Sequence, residues 1–219
     1  NGDVFFEDIS LKNYSRNQLS RKIAYLPQKL NNSLNITVKD LISLGRSPYK
    51  NFWEFDLNDE DLKIIEEAIQ IMDLNELKNK FIDELSGGQS QRAFLAMTIA
   101  QNTNILLLDE PTTFLDINYQ IKFLESLKNL IQIKKFSIMT VLHDVNLAAR
   151  FCDRIAILKG GKLIDINTPE KVLNKENFKR GFEIDSHIIN TPVGIQIFPV
   201  SKIWHLFLSK KINLKLNNN

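Results

Sequence analysis

The stretch that most narrows what this chain can fold into is Leu85-Ser86-Gly87-Gly88-Gln89-Ser90-Gln91-Arg92. The apolar run Ile105-Leu106-Leu107-Leu108 and the acidic pair Asp109-Glu110 follow close behind. Ser86 and Gln89 stand in the S-x-x-Q relation of a capping box, so a helix starts just after Ser86. A helix start presents unpaired N–H groups and the positive end of the helix dipole, which suits an anion. The apolar run shows no alternation, the pattern of a parallel strand covered on both faces. Ligands of open α/β sheets collect at the carboxyl ends of such strands, where Asp109 and Glu110 stand. Donors for a phosphate and carboxylates for a metal or a base thus share one neighbourhood.

The remaining patterns fit an α/β protein with a helical insertion. Val4 to Ile9 and Ile23 to Leu26 read as strands joined by a polar segment, and Pro27 stops the second, leaving Gln28 in the loop beyond it. From Thr37 to Leu85 helical periodicity takes over. Thr37 caps a helix that ends at Gly45, and Leu62, Ile65, Ile69 and Met72 repeat on one helical face. Between them Gly45-Arg46-Ser47-Pro48-Tyr49 leads into Phe52, Trp53 and Phe55, aromatics that serve either a local core or a docking groove. After the signature stretch, Ala93, Ala96, Met97 and Ala100 form a small-residue helix face suited to close packing on a sheet. Asp116 stands as the N-cap of a helix carrying Ile117, Ile121, Leu124, Leu127 and Ile131. Phe136 to Leu142 reads as another buried parallel strand, ending before His143. Arg154 to Leu158 and Lys162 to Ile166 form a hairpin through Gly160-Gly161. Thr168-Pro169 starts a short helix, and residues 181 to 200 add a strand pair. The segment 201–219 holds four lysines and no acidic residue. It is either a basic amphipathic element for a membrane surface or an extension packed on the domain.

Composition excludes several classes. The 28 basic and 26 acidic residues nearly cancel to +2, which gives no general electrostatic case for nucleic acid. The single cysteine, Cys152, allows no internal disulfide and reads as a buried structural thiol. No apolar run is long enough to span a bilayer.

LSGGQSQR followed by LLLDEPT resembles the ATP-binding cassette (ABC) ATPases, as do Tyr-Leu-Pro-Gln before it and Val-Leu-His-Asp-Val-Asn after it. The resemblance implies a P-loop NTPase-like ABC ATPase fold, an α/β parallel sheet core with a helical subdomain. Its divisions are 1–36 (core remnant and glutamine loop), 37–85 (helical subdomain), 86–180 (core with signature, acidic strand end and switch histidine) and 181–219 (C-terminal extension). It implies ATP and Mg²⁺ as ligands. Asp109 and Gln28 would serve the metal, Glu110 would be the general base, and His143 and Gln28 would attend the γ-phosphate and the attacking water. Ser86, Gly87, Gly88, Gln89 and Asp116 would meet a nucleotide across a homodimer interface. Transmembrane permease subunits would be the direct partners and an extracytoplasmic substrate-binding protein an indirect one, with the ATPase on the cytoplasmic face of the membrane.

Leu-Gly-Arg-Ser-Pro-Tyr and Leu-His-Asp-Val-Asn-Leu-Ala-Ala-Arg-Phe-Cys-Asp are most similar to importer ATPases for ferric siderophores, with haem and cobalamin importers as close alternatives. No G-x-x-x-x-G-K-[ST] phosphate loop occurs in the chain. Three explanations compete: an N-terminally truncated record of a normal ATPase, a decayed gene, and a product completed by another chain. The intact later motifs favour the first. The rival function is a non-hydrolysing cassette that only docks. A soluble cassette of DNA repair or translation is disfavoured, because the chain has neither a long coiled coil nor a basic patch.

Overall fold

The computed structural model describes residues 2–30, 34–50, 56–113, 115–134 and 136–200. Phe52, Trp53, Phe55 and the segment 201–219 lie outside the described residues, as does Phe114. The chain packs as two compact units divided between His143 and Asp144.

The first unit opens with a hairpin instead of one strand. β1 (Phe5–Phe6) pairs antiparallel with β2 (Ile9–Ser10), because Glu7 and Asp8 both take left-handed backbone conformations, φ 50° and 62°. Two consecutive residues of that kind make the two-residue turn that matches strand twist. The polar linker that follows is helical. Ser15 and Gln18 form a capping box at the start of α1 (Arg16–Ser20), the same signal that marks the signature helix.

Three parallel strands form the sheet of this unit: β3 (Ile23–Leu26), β4 (Ile105–Asp109) and β5 (Ser137–Val141), in the order β3-β4-β5. Ala24 faces Leu106 and Ile138 in register, and Leu26 faces Leu108 and Thr140. That face is the inner one, with Ala24, Leu26, Leu106 and Leu108 buried. The opposite face carries Tyr25, Leu107 and Met139 in register, with Tyr25 and Met139 exposed. The expectation of strands covered on both faces is therefore corrected for β4 and β5. An unbroken apolar run fixes the strand, but its covering depends on which layers pack beside it.

Helices cover the inner face. α2 (Val38–Ser43) starts at a Thr37–Asp40 capping box and α3 (Asp59–Ile71) at an Asn58–Asp61 box. α2 does not run to Gly45: it ends at Ser43 and tightens into a 3₁₀ helix over Leu44–Tyr49. Gly45 faces the last turn of α4 (Gly87–Ala100), where a Cβ would collide with the Met97 carbonyl. Ala93, Ala96 and Ala100 of α4 are fully buried, and the helix packs against α2, α3 and β3. α3 buries Ile65, Ala68, Ile69 and the adjoining Met72, whereas Leu62 is exposed. In α5 (Ile117–Lys134) the buried stripe is Phe123, Leu124, Leu127 and Leu130, and Ile117 is exposed.

In the second unit Asp144 caps α6 (Val145–Phe151), accepting from Asn146 N at 2.7 Å. β6 (Ile155–Lys159) and β7 (Lys162–Asn167) form the expected hairpin. After α7 (Pro169–Val172) and α8 (Lys175–Phe182) comes the antiparallel pair β8 (Asp185–Thr191) and β9 (Gly194–Val200). Ile157, Val172, Leu173, Phe178, Ile195 and Ile197 make the core. Burial holds the Cys152 thiol above its usual pKa, with Asp153 adding to the effect.

Candidate functional site

Parallel strands that share a direction bring their carboxyl ends to one edge. Gln28 stands two residues beyond β3, Glu110 directly after β4 and His143 two residues beyond β5. The three side chains meet. Gln28 Nε2 donates to Glu110 Oε2, and His143 Nε2 lies 2.6 Å from Glu110 Oε1. Thr113 Oγ1 adds a third donor to Glu110 Oε2 at 3.2 Å. Burial alone would raise the Glu110 carboxyl, yet bonds from His143, Thr113 and Gln28 hold it below the usual carboxylate value. The site therefore presents an ionised carboxylate at neutral pH, fixed by three donors. Glu110 also has a left-handed backbone at φ 49°, uncommon for a non-glycine residue and typical of functional turns.

The loop that carries Glu110 is tied down from both sides. Gln91 of α4 donates to the Pro111 carbonyl. Gln120 of α5 donates to the carbonyls of Thr112 and Leu115, at 3.1 and 3.0 Å. Asp109 joins a different partner: its Oδ2 accepts from Tyr25 OH at 3.4 Å. Burial, followed by the Asp109 charge, pushes the Tyr25 phenol up, so it stays a donor.

Ser86, Gly88, Gln89 and Asp116 line a separate cleft of about 240 Å³, together with Arg92, Leu115 and Tyr119. The Ser86 box closes in both directions, Gln89 N to Ser86 Oγ at 3.4 Å and Ser86 N to Gln89 Oε1 at 3.0 Å. Gly87 has open space where a side chain would stand, whereas a Cβ on Gly88 would press on Leu115 at 3.1 Å. Asp116 caps α5 by accepting from Tyr119 N at 3.1 Å. The cleft thus has helix-start donors on one wall and a carboxylate on the other. Such a wall offers N–H groups to an anion.

Sequence reasoning did not single out Tyr25, Thr113 or Tyr119, and it read Arg92 as a solvated or salt-bridged residue; Arg92 pairs with Asp73 at 3.6 Å. Tyr25 carried a readable signal: it alternates out of phase with Ala24 and Leu26, so it faces away from the core beside the Asp109 strand. Thr113 carried none, because its bond depends on the turn after Glu110. Among the described residues no cluster of three or more His, Cys, Asp or Glu side chains is arranged to hold a metal ion by itself.

A family model described as ABC transporter matches residues 1–113. The petrobactin import ATP-binding protein FpuC of Bacillus anthracis is 42% identical over 186 residues, covering 84% of this chain and 68% of that protein. The ferric enterobactin transport ATP-binding protein FepC of Escherichia coli (strain K12) is 35% identical over 193 residues, covering 88% of this chain and 71% of that one. Among solved structures, the dimeric post-hydrolysis state of the ATP-binding cassette MJ0796 bound to ADP and Pi superposes with a TM-score of 0.66. It is 28% identical and covers 77% of this chain and 74% of its own.

Proposed function

The chain belongs to the ABC transporter ATPases, and from that premise we propose that it is the ATP-hydrolysing subunit of an importer for an iron(III)–siderophore complex. One observation carries the catalytic part: Gln28, His143 and Thr113 converge on Glu110 at the carboxyl edge of three parallel strands. The substrate class draws on the relatives, which are named for petrobactin and ferric enterobactin.

In this reading the Glu110 carboxylate accepts a proton from, or orients, the water that attacks the γ-phosphate of ATP. A positioned base of this kind contributes about 10²–10⁴-fold. His143 Nε2 and the Gln28 amide hold Glu110 at the strand edge where the water and the γ-phosphate would arrive. Asp109 suits Mg²⁺, which takes one or two carboxylates together with phosphate oxygens and water, so a three-residue metal cluster is not required. The ion, when bound, would neutralise charge on the phosphates. Ser86, Gly87, Gly88 and Gln89 offer a hydroxyl and backbone N–H groups to the nucleotide of a second copy, and Asp116 faces the same cleft.

Residues 37–85 are read as the insert that meets the transmembrane permease. The permease in turn receives cargo from an extracytoplasmic binding protein, with this subunit on the cytoplasmic face. Among the described residues no helix is long and apolar enough to cross a membrane, which fits a subunit that docks on membrane partners.

The test is uptake by a strain lacking the gene, fed labelled iron–siderophore, haem or cobalamin. The expected result is loss of siderophore-iron uptake, restored by the wild-type gene but not by Glu110→Gln. Loss confined to haem or to cobalamin reassigns the cargo. Full restoration by Glu110→Gln makes the chain a docking module that does not hydrolyse ATP.

A further inference from the structure

The Leu44–Tyr49 turn, which the mechanism above does not use, carries a buried charge cluster. Arg46 and Asp61 are 5% and 2% exposed. Arg46 Nε donates to Asp61 Oδ1 at 2.8 Å and its Nη1 to the Ala100 carbonyl at 3.0 Å. Lys50 takes the other Asp61 oxygen, and the Tyr49 ring lies 4.2 Å under the Arg46 guanidinium. Asp61 is also the third residue of α3 and completes the Asn58 capping box, its Oδ2 accepting from Asn58 N at 3.2 Å. One side chain therefore joins the start of α3 to the end of α4. At the other end of the pair, Arg92 in the second turn of α4 donates to the carbonyls of Met72 and Asp73, both at 3.0 Å, where α3 ends. The two helices are pinned at both ends by arginine.

A helix of 14 residues is a rod of about 21 Å. The buried residues of α4 include Ala93, Ala96 and Ala100 beside Phe94, Leu95 and Ile99, and apolar packing is non-directional, so by itself it leaves some freedom along the axis. Two directional bonds at opposite ends remove that freedom. The close seating of Gly45 on the last turn of α4 points the same way, since the turn bearing Arg46 rests directly on the rod it holds.

We propose that Arg46, through Asp61 and Ala100, is a positioning residue that sets the axial register of α4, and with it the place of Ser86–Gln89 against the nucleotide of a second copy. This rests on the function proposed above. Arg46 touches no substrate; it acts through α4. Lysine at position 46 would keep the charge but lose the planar fork that reaches Asp61 and Ala100 together.

The test measures kcat and KM for ATP, together with the thermal midpoint, in the full gene product assembled with its permease, as wild type, Arg46→Lys and Asp61→Asn. A misplacement of about 1 Å far from the chemistry can cost about 10²-fold, so kcat should fall at least about tenfold in folded protein. KM should stay within about twofold, because binding of ATP to its own subunit is not touched. Folded variants with wild-type kcat overturn the proposal, as does a rise in KM at constant kcat. Failure of both variants to fold assigns the cluster to stability alone and also overturns it. A wild-type protein that does not hydrolyse ATP defeats the functional reading itself, a different result from variants that match an active wild type.

Discussion

Glu110 accepts from three side chains, and each donor comes from a different segment: the loop after β3, the turn after β4 and the loop after β5. Their bonds outweigh its burial, so its native pKa lies below the ordinary value of about 4.3. A depressed carboxylate contributes stability that is full above the unfolded pKa and is lost as pH falls through the lower native value. The Glu110 contribution is therefore expected to be present at neutral pH and to be lost in acid. Carboxyl-carbon NMR should find Glu110 titrating below the usual carboxylate range, and His143→Ala should move it up; an unshifted Glu110 would contradict the geometry. Asp109 and Glu110 stood out in sequence because they end a strand with a clear boundary, whereas Gln28 and His143 were singled out by the resemblance of their surroundings to the ABC ATPases. Thr113 and the Tyr25–Asp109 bond were not, since the first needs the turn after Glu110 and the second the register of β3 on β4.

At the scale of elements, helix starts were legible and helix ends were less so. Thr37–Asp40, Asn58–Asp61 and Ser86–Gln89 each place a capping box where a helix begins, because a start is marked by side chains that answer orphan N–H groups. The end of α2 carries no such mark, and Gly45 belongs to the 3₁₀ turn for a tertiary reason, its contact with α4. Ala at this position should push the Leu44–Tyr49 turn off the helix, and overpacking of this kind costs about 1–3 kcal/mol. A urea titration of Gly45→Ala checks this; an unchanged midpoint would mean that the turn yields without cost. The expected strand from Val4 to Ile9 failed for a comparable reason, since the Glu7-Asp8 turn is written in backbone angles and not in hydrophobic pattern.

For the whole molecule, the parallel order β3-β4-β5 brings three separate sequence signals to one edge; the function was legible earlier, from the resemblance of the motifs to the ABC ATPases, whereas the covering of the sheet was not. The exposed side of the sheet, with Tyr25 and Met139, follows from which layers pack on it, and four leucine-like residues in a row do not encode that. The near-cancelling charge of +2 leaves the acid pair and the helix-start donors as the local features that the proposed nucleotide recognition would use. The most direct measurement is steady-state ATP hydrolysis by the purified product of the gene beside its Glu110→Gln variant, with nucleotide binding followed in both. The account predicts turnover in the wild type and a loss of about 10²–10⁴-fold in the variant, with ATP still bound. Equal turnover in the two proteins, or a wild type that binds no ATP, would contradict it.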